Sequence, residues 1–343
     1  MIHSKLTRVL LASGTALAMM VSVAQAPAAE FNWRMQSNLN AGEPGYESVR
    51  VYFVEAIERM TGGRMKIQLH PVGALFPIKE GLEAVGTGIV EIGMMTGGYF
   101  SGKLGPIATL ESGVPGAERN AVERHAFFYR KGFLDVAREA YAKYNVFYLA
   151  PHLSPSWDII SKKPIRGAKD FDGLKIRSFG IEAKWYESMG ASVVFLSGAE
   201  IYTALSTGVV DAVRWGSPAN IYKLSLHEVS KYYILPSPMP APNNNFLINT
   251  DAWNKLPDDI KAIMEESAKL ASLDYMARGA QLDATAIKDM KSAGIEFIRI
   301  PDDEWSTMET NVRQLWAEYA KEDPGISARA VKMMQDYMKE LGR

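Results

Sequence analysis

The 343-residue chain contains no cysteine. That absence excludes disulfides, thiolate metal sites and a cysteine nucleophile. Histidine is sparse: His70, His125, His152 and His227 are scattered, with no H-x-x-H or H-E-x-x-H spacing to suggest zinc. The glycines of "GTG" and "TGGYF" fit neither G-x-G-x-x-G nor G-x-x-x-x-G-K-[ST], and no G-x-S-x-G elbow occurs. Charge is almost balanced, at 38 Lys+Arg against 39 Asp+Glu, and no basic block exceeds a pair, so a nucleic-acid surface is unsupported. Long apolar runs are missing too, apart from one at the start. Val9 to Val23 follows Lys5 and Arg8 and precedes "AQAPAAE". This reads as a secretory signal peptide, residues 1–29, cleaved after Ala26 or Ala29. The run falls short of the roughly 20 apolar residues of a membrane span. Removing Lys5 and Arg8 leaves 36 basic residues against 39 acids, a mildly negative exported chain long enough to form two lobes without disulfides.

What is present is α/β alternation, written twice. "FNWRMQSN" and "RMKIQLHPVG" read as strands around a helix whose apolar face is Val49, Phe53, Ala56, Ile57 and Met60. A short helix ending at Gly86 and Gly88 leads into the buried strand "IVEIGMMT". Further on, "KIRSFG", "EAKWYESMG", "ASVVFL", "AEIYTALSTG" and "VVDAVRW" repeat the order, with Ser197 and Glu200 placed as a capping box. Thr87-Gly88 aligns with Thr207-Gly208, and Glu91 with Asp211, at an offset of 120 positions. Any helix–glycine–strand junction looks partly like this. The shared T-G-[IV]-V-[ED] string favours two similar lobes.

The two lobes divide as 30–150 with about 245–275, and 151–244 with about 276–343. The expected crossings are Val146–Trp157 and the proline-dense Pro236–Asn249. A long helical pattern from Asp258 to Gly294, a strand "IEFIRIP" and two more helices close the chain. Ligands of open α/β sheets sit beyond the carboxyl ends of strands, so the cleft between Thr96–Phe100 and Gly216–Asn220 is the expected site. In "DGLKIRSFG", Arg177 stands on a half-buried strand; it reaches water, pairs with Asp172 or Glu182, or waits for an external anion. Tyr99 and Phe100 either staple their loop or face a pocket. Ser154, Ser156 and Trp157 lie at the first crossing, and Asn243, Asn244 and Asn245 at the second. Glu43, before the first helix, either sits near the cleft or only complements the helix dipole.

The stretches "DGLKIRSFG", "VVFLSGAEIYTALSTGVVDAVRWGSP", "LHEVSKYYIL" and "FLINTDAWNKLPDDIK", in this order, resemble the solute receptors of tripartite ATP-independent periplasmic (TRAP) transporters. The resemblance implies a two-lobed, hinge-closing periplasmic binding protein of type II with a long helix along both lobes. It also implies delivery of organic acids to membrane subunits driven by an ion gradient. The arginine of "GLKIR", here Arg177, binds the substrate carboxylate in that family, a task suited to a planar fork. Many members carry "ENP" after "VVDG"; this chain has "RWGSP", and Trp215 resembles the branch binding 2-oxo and 2-hydroxy monocarboxylates. The substrate-binding set expected on these grounds is Arg177, Trp215, Tyr99, Phe100, Ser154, Ser156, Trp157, Asn244 and Asn245. That branch can clamp its ligand through a cation held partly by an acid from the second crossing. Here no Asp or Glu occurs between Glu228 and Asp251, so no metal is expected, and a ligand-bridging cation stays an open alternative. A periplasmic receptor without catalysis is the resulting expectation. Its rivals are a receptor for an ATP-driven importer or signalling partner, and an exported α/β enzyme. Monomer and homodimer both stay open, because Val331, Met334, Tyr337, Met338 and Leu341 give the last helix an apolar face.

Overall fold

The computed structural model describes residues 29–343, so the expected signal segment lies outside it except for Ala29. Eleven strands are described: β1 Phe31–Ser37, β2 Met65–His70, β3 Ile92–Met95, β4 Val146–Leu153, β5 Trp157–Ser161, β6 Lys175–Arg177, β7 Ser192–Val194, β8 Ala212–Arg214, β9 Tyr232–Met239, β10 Asn243–Asn249 and β11 Glu296–Arg299. They form two mixed sheets, β2-β1-β3-β10-β4 and β11-β9-β5-β8-β6-β7, with helices packed against both.

The repeat is real in three dimensions. β1 lies between β2 and β3, all parallel, with β10 antiparallel beyond β3. β6 lies between β7 and β8 in the same way, with β5 antiparallel beyond β8. The recurring string has a mechanical reason. Gly88 and Gly208 both adopt positive φ, +77° and +79°, ending the helices Gly81–Gly86 and Ile201–Thr207. Thr87 and Thr207 each bond back one turn, to the carbonyls of Glu83 and Thr203. Glu91 then accepts the backbone N–H of Arg34 on β1, and Asp211 that of Lys175 on β6. Each acid therefore fastens its strand to the neighbouring strand. The expected capping box is half formed: Glu200 accepts from the Ser197 N–H at 2.8 Å, and the Ser197 hydroxyl turns to the same carboxylate.

The chain crosses between sheets at 154–156, between β4 and β5, and at 240–242, between β9 and β10. The helix Asp258–Ser292 makes a third crossing. It opens with Asp258 and Asp259, which suit the positive end of the helix dipole, and Gly294 turns the chain beyond its end at φ +88°. Its buried residues Ile260, Met264, Ala268, Ala271, Tyr275, Gly279, Ala286 and Met290 recur at helical spacing and pack on β4 and on the helix Pro218–Lys223. The last two helices depart from the expected division. Asp302–Glu322 packs on Gly180–Ser188, but Ile326–Glu340 lies against Ile107–Leu110 and Phe133–Ala142. Residues 276–343 therefore do not all accompany the second sheet; the apolar face of the final helix is covered by helices that follow β3. Among the described residues no helix is long and apolar enough to cross a membrane.

Gly279 sits where the first crossing lies on the long helix, and a Cβ there would stand 2.6 Å from the ring of Pro155. Alanine gains up to about 1 kcal/mol in helix preference but overpacks a stiff proline, at about 1–3 kcal/mol. Gly279→Ala is expected to lower the thermal midpoint; a rise would show that this contact does not constrain the crossing.

Candidate functional site

Strand β6 ends at Arg177, and Gly180 at φ +64° turns the chain into the helix Gly180–Ser188. The Arg177 side chain is fully buried. Its Nε donates to the carbonyl of Leu196 at 2.9 Å and its Nη1 to the carbonyl of Arg214 at 2.9 Å, while Nη2 has no partner. The guanidinium carbon lies 4.9 Å from the Trp215 ring, 5.1 Å from Phe179 and 5.7 Å from Phe195. No ion pair to Arg177 occurs among the described residues; Glu182 pairs with Arg214 instead. Burial pulls the Arg177 pKa down to about 10, against the nearby Tyr99 hydroxyl, so the group stays charged at neutral pH.

The first half contains its own control. Gln36 on β1 pairs with Gly93 on β3, as Arg177 on β6 pairs with Val213 on β8. Gln36 Nε2 donates to the carbonyl of Phe76 at 2.9 Å, the counterpart of the Arg177 bond to Leu196. A neutral amide is enough to hold that loop. The positive charge and the spare N–H at Arg177 exceed what the fold uses.

Both halves contribute to the enclosure around this group. Its wall includes Asn38, Leu39, Tyr99, Ser154, Trp157, Arg177, Phe179, Arg214, Trp215, Gly216, Asn220, Asn244 and Tyr275. The space between these atoms is about 330 Å³, a small chamber walled by residues of both halves. Tyr99 from the first half packs tilted on Phe179 at 4.7 Å and edge-on to Phe195 at 5.3 Å. Gly98 makes that approach possible, since a Cβ would come within 2.8 Å of Phe179. Trp215 Nε1 donates to Glu43 across the gap at 3.3 Å.

Six residues of the expected set, Arg177, Trp215, Tyr99, Ser154, Trp157 and Asn244, stand in this wall. Three do not. Phe100 is directed into the core, edge-on to Tyr99 at 6.4 Å. The Ser156 hydroxyl turns to Asp158 at 2.9 Å. Asn245 faces away from Asn244, as strand alternation demands, and bonds Glu111, Tyr148 and Asn243. Arg124 completes that buried network through Asn243 and Glu118. The asparagines on either side of Asn244 thus fix the strand that presents it.

Arg214 is the principal residue the expected set omits. It is 2% exposed, lies 4.2 Å from Phe179 and 4.6 Å from Trp157, and pairs with Glu182. Its signal, a cation ending an apolar strand, is the one that drew attention to Arg177. The Glu182 carboxyl is raised by burial, against the pull of Arg214. Asn38, Asn220 and Tyr275 are set by long-range packing and carry no local signal. Asn38 donates to Asn244, Asn220 donates to the Tyr275 hydroxyl, and the Oδ1 atoms of Asn38 and Asn220 have no partner. Among the described residues, no three His, Cys, Asp or Glu side chains are grouped to hold a metal.

Residues 35–323 match the model of the DctP family, bacterial extracellular solute-binding protein, family 7. The chain belongs to this family. It is 31% identical over 244 residues to a monocarboxylate 2-oxoacid-binding periplasmic protein of Nostoc sp., across 71% of this chain and 66% of that one. It is 27% identical over 299 residues to the C4-dicarboxylate-binding periplasmic protein DctP of Rhodobacter capsulatus, across 82% of this chain and 84% of that one. A TRAP solute-binding protein of Colwellia psychrerythraea, crystallised with calcium and pyruvate, superposes with a TM-score of 0.83 at 23% identity, covering 91% of this chain and 95% of that chain. The fold is that of TRAP periplasmic binding proteins, and the family is one of solute receptors.

Of the two readings of Glu43, a place near the cleft or service to the helix dipole alone, the structure favours the first, burying it fully beside Trp215. It accepts from Asn40 N at 2.7 Å, from Asn40 Nδ2 at 2.9 Å and from Trp215. Burial pushes its pKa up to about 7, with the Asn40 and Trp215 bonds pulling back. An acid raised in the folded state is neutral in both states below its unfolded value. Stability is therefore full there and falls as pH rises through about 7. Glu43→Gln is expected to exceed the parent by roughly 1–2 kcal/mol at about pH 8 and to lose that advantage at about pH 5. Thermal unfolding at both pH values checks this, and a more stable parent at the higher pH contradicts it.

Proposed function

We propose that the protein is a periplasmic receptor that captures a small 2-oxo or 2-hydroxy monocarboxylate and passes it to the membrane subunits of a TRAP-type secondary transporter. The observation that carries the reading is the buried Arg177 guanidinium with a free Nη2 and no counterion. An unpaired buried charge is costly, and a ligand carboxylate relieves that cost with charge-assisted bonds. One carboxylate is enough. Arg214 is already neutralised by Glu182, so the chamber has one uncompensated positive charge, which favours a monocarboxylate over the dicarboxylate named for the Rhodobacter relative. The aromatic walls of Trp157, Phe179 and Trp215 suit a short apolar tail. The small chamber and the 2-oxoacid binding named for the Nostoc relative point the same way.

The wall holds no carboxylate and no histidine, so it offers no general acid–base pair, and the reading is capture without turnover. The Colwellia protein was crystallised with calcium as well as pyruvate, which raises the question of whether this wall suits such an ion. A hard ion seeks six to eight oxygens, several of them anionic, as a rough rule. Here it meets amide and hydroxyl oxygens beside two guanidiniums, so the donor set does not fit a resident metal ion.

Arg177→Gln copies the Gln36 arrangement of the other half and is expected to keep the fold. It removes charge-assisted bonds worth about 1.5–3 kcal/mol each, so affinity for pyruvate or a related acid is expected to fall about tenfold or more. Calorimetric titration checks this; unchanged affinity in a folded variant would reject the site.

A further inference from the structure

The lack of fit for a metal ion, together with the second buried guanidinium, carries a further step that rests on the function proposed above. Arg214 borders two spaces. It lines the chamber beside Arg177, and it also lines a second, smaller cavity that Glu182 borders. The Phe179 and Trp157 rings, themselves edge-to-face at 6.0 Å, both pack against it, at 4.2 and 4.6 Å. One terminal nitrogen is taken by Glu182, and Nε has no partner. The Arg177 Nη1 bond to the Arg214 carbonyl keeps the two residues adjacent. Glu182 sets its charge against that of Arg214 through one terminal nitrogen and leaves the other N–H donors of Arg214 available.

We propose that Arg214, positioned by Glu182, contacts the 2-oxo or 2-hydroxy oxygen while Arg177 takes the carboxylate, and that ligand binding therefore needs no metal ion. Charge balance supports this. The Arg214–Glu182 pair is neutral, and Arg177 with a monocarboxylate is neutral. An added sodium or calcium ion would leave uncompensated positive charge in a dry chamber. Glu43 does not offset it from the wall, because its oxygens are turned to Asn40 and Trp215. The Colwellia protein was crystallised with both calcium and pyruvate; in this chain a fixed guanidinium supplies positive charge in the chamber without an ion.

The test is calorimetric titration of the full mature chain with pyruvate, lactate and 2-oxobutyrate. The protein is first treated with a chelator and dialysed into sodium-free choline buffer, then measured again with calcium or sodium restored. The dissociation constant is expected to change by less than about twofold between arms, and Arg214→Met combined with Glu182→Gln, which leaves no orphaned charge, is expected to weaken it about tenfold or more. Glu182→Gln alone leaves Arg214 uncompensated and is expected to raise affinity for oxaloacetate relative to pyruvate, a change in selectivity that a merely structural role would not produce. Binding that collapses without metal and returns with it overturns this step while leaving the receptor reading intact. Full affinity in the folded double variant does the same. Should that variant not fold, the metal arms on the parent protein decide alone. Failure of every acid to bind in any arm overturns the receptor reading and this step together.

Discussion

A buried guanidinium with no counterion is the constraint around which the rest of the structure is arranged. Taking an ion out of water costs several kcal/mol even after relaxation, and proteins normally meet that cost with a paired acid. Arg177 has backbone carbonyls on Nε and Nη1, three aromatic rings around its plane, and nothing on Nη2. The two carbonyls aim it. The rings of Trp215, Phe179 and Phe195 exclude water and leave the charge exposed only to the chamber. Such a site suits an anion, because the ligand-free guanidinium is poorly solvated and needs no reorganisation to meet one.

The duplicated architecture shows which part of that arrangement is structural. Gln36 and Arg177 occupy matching positions in the two sheets and fasten matching loops, at Phe76 and Leu196. One half keeps the neutral solution; the other replaces it with a charged one. The site is asymmetric although the frame is nearly symmetric. The first half supplies a cover: Tyr99 over Phe179 and Phe195, and Glu43 under Trp215. Thin crossings at 154–156 and 240–242 join the halves, and the helix Asp258–Ser292 spans them. Closure then follows from differential affinity: a ligand that bridges groups from both halves favours the shut arrangement over the open one.

Local chemistry made the frame legible in the sequence. The string from Thr87 to Glu91 recurs from Thr207 to Asp211 because each copy performs one mechanical sequence: helix stop, left-handed glycine, strand, and an acid that fastens the next strand. The 35-residue helix and both crossings were visible for similar reasons, in apolar spacing and proline density. The wall of the chamber was legible only in part. Alternation decides that Asn244 faces inward and Asn245 outward, but the register is set by pairing with β4 across a bulge after Phe246. For Phe100 the loop left stapling and pocket-facing both open, and the helical turn Gly97–Phe100 decides for stapling by turning its ring into the core. Arg214 ends an apolar strand as Arg177 does, but its partner Glu182, on another element, is not visible from the local sequence. The final helix was assigned to the wrong neighbours because an apolar stripe states that a face is buried, not what buries it.

The central claim concerns a charge, so the most direct measurement changes the charge of the ligand and leaves the protein intact. Pyruvate and its neutral amide have nearly the same shape, and calorimetry on the unaltered receptor compares them. The account predicts that the amide binds about tenfold or more weaker, because it offers Arg177 no anion. Equal affinity for the two would contradict it.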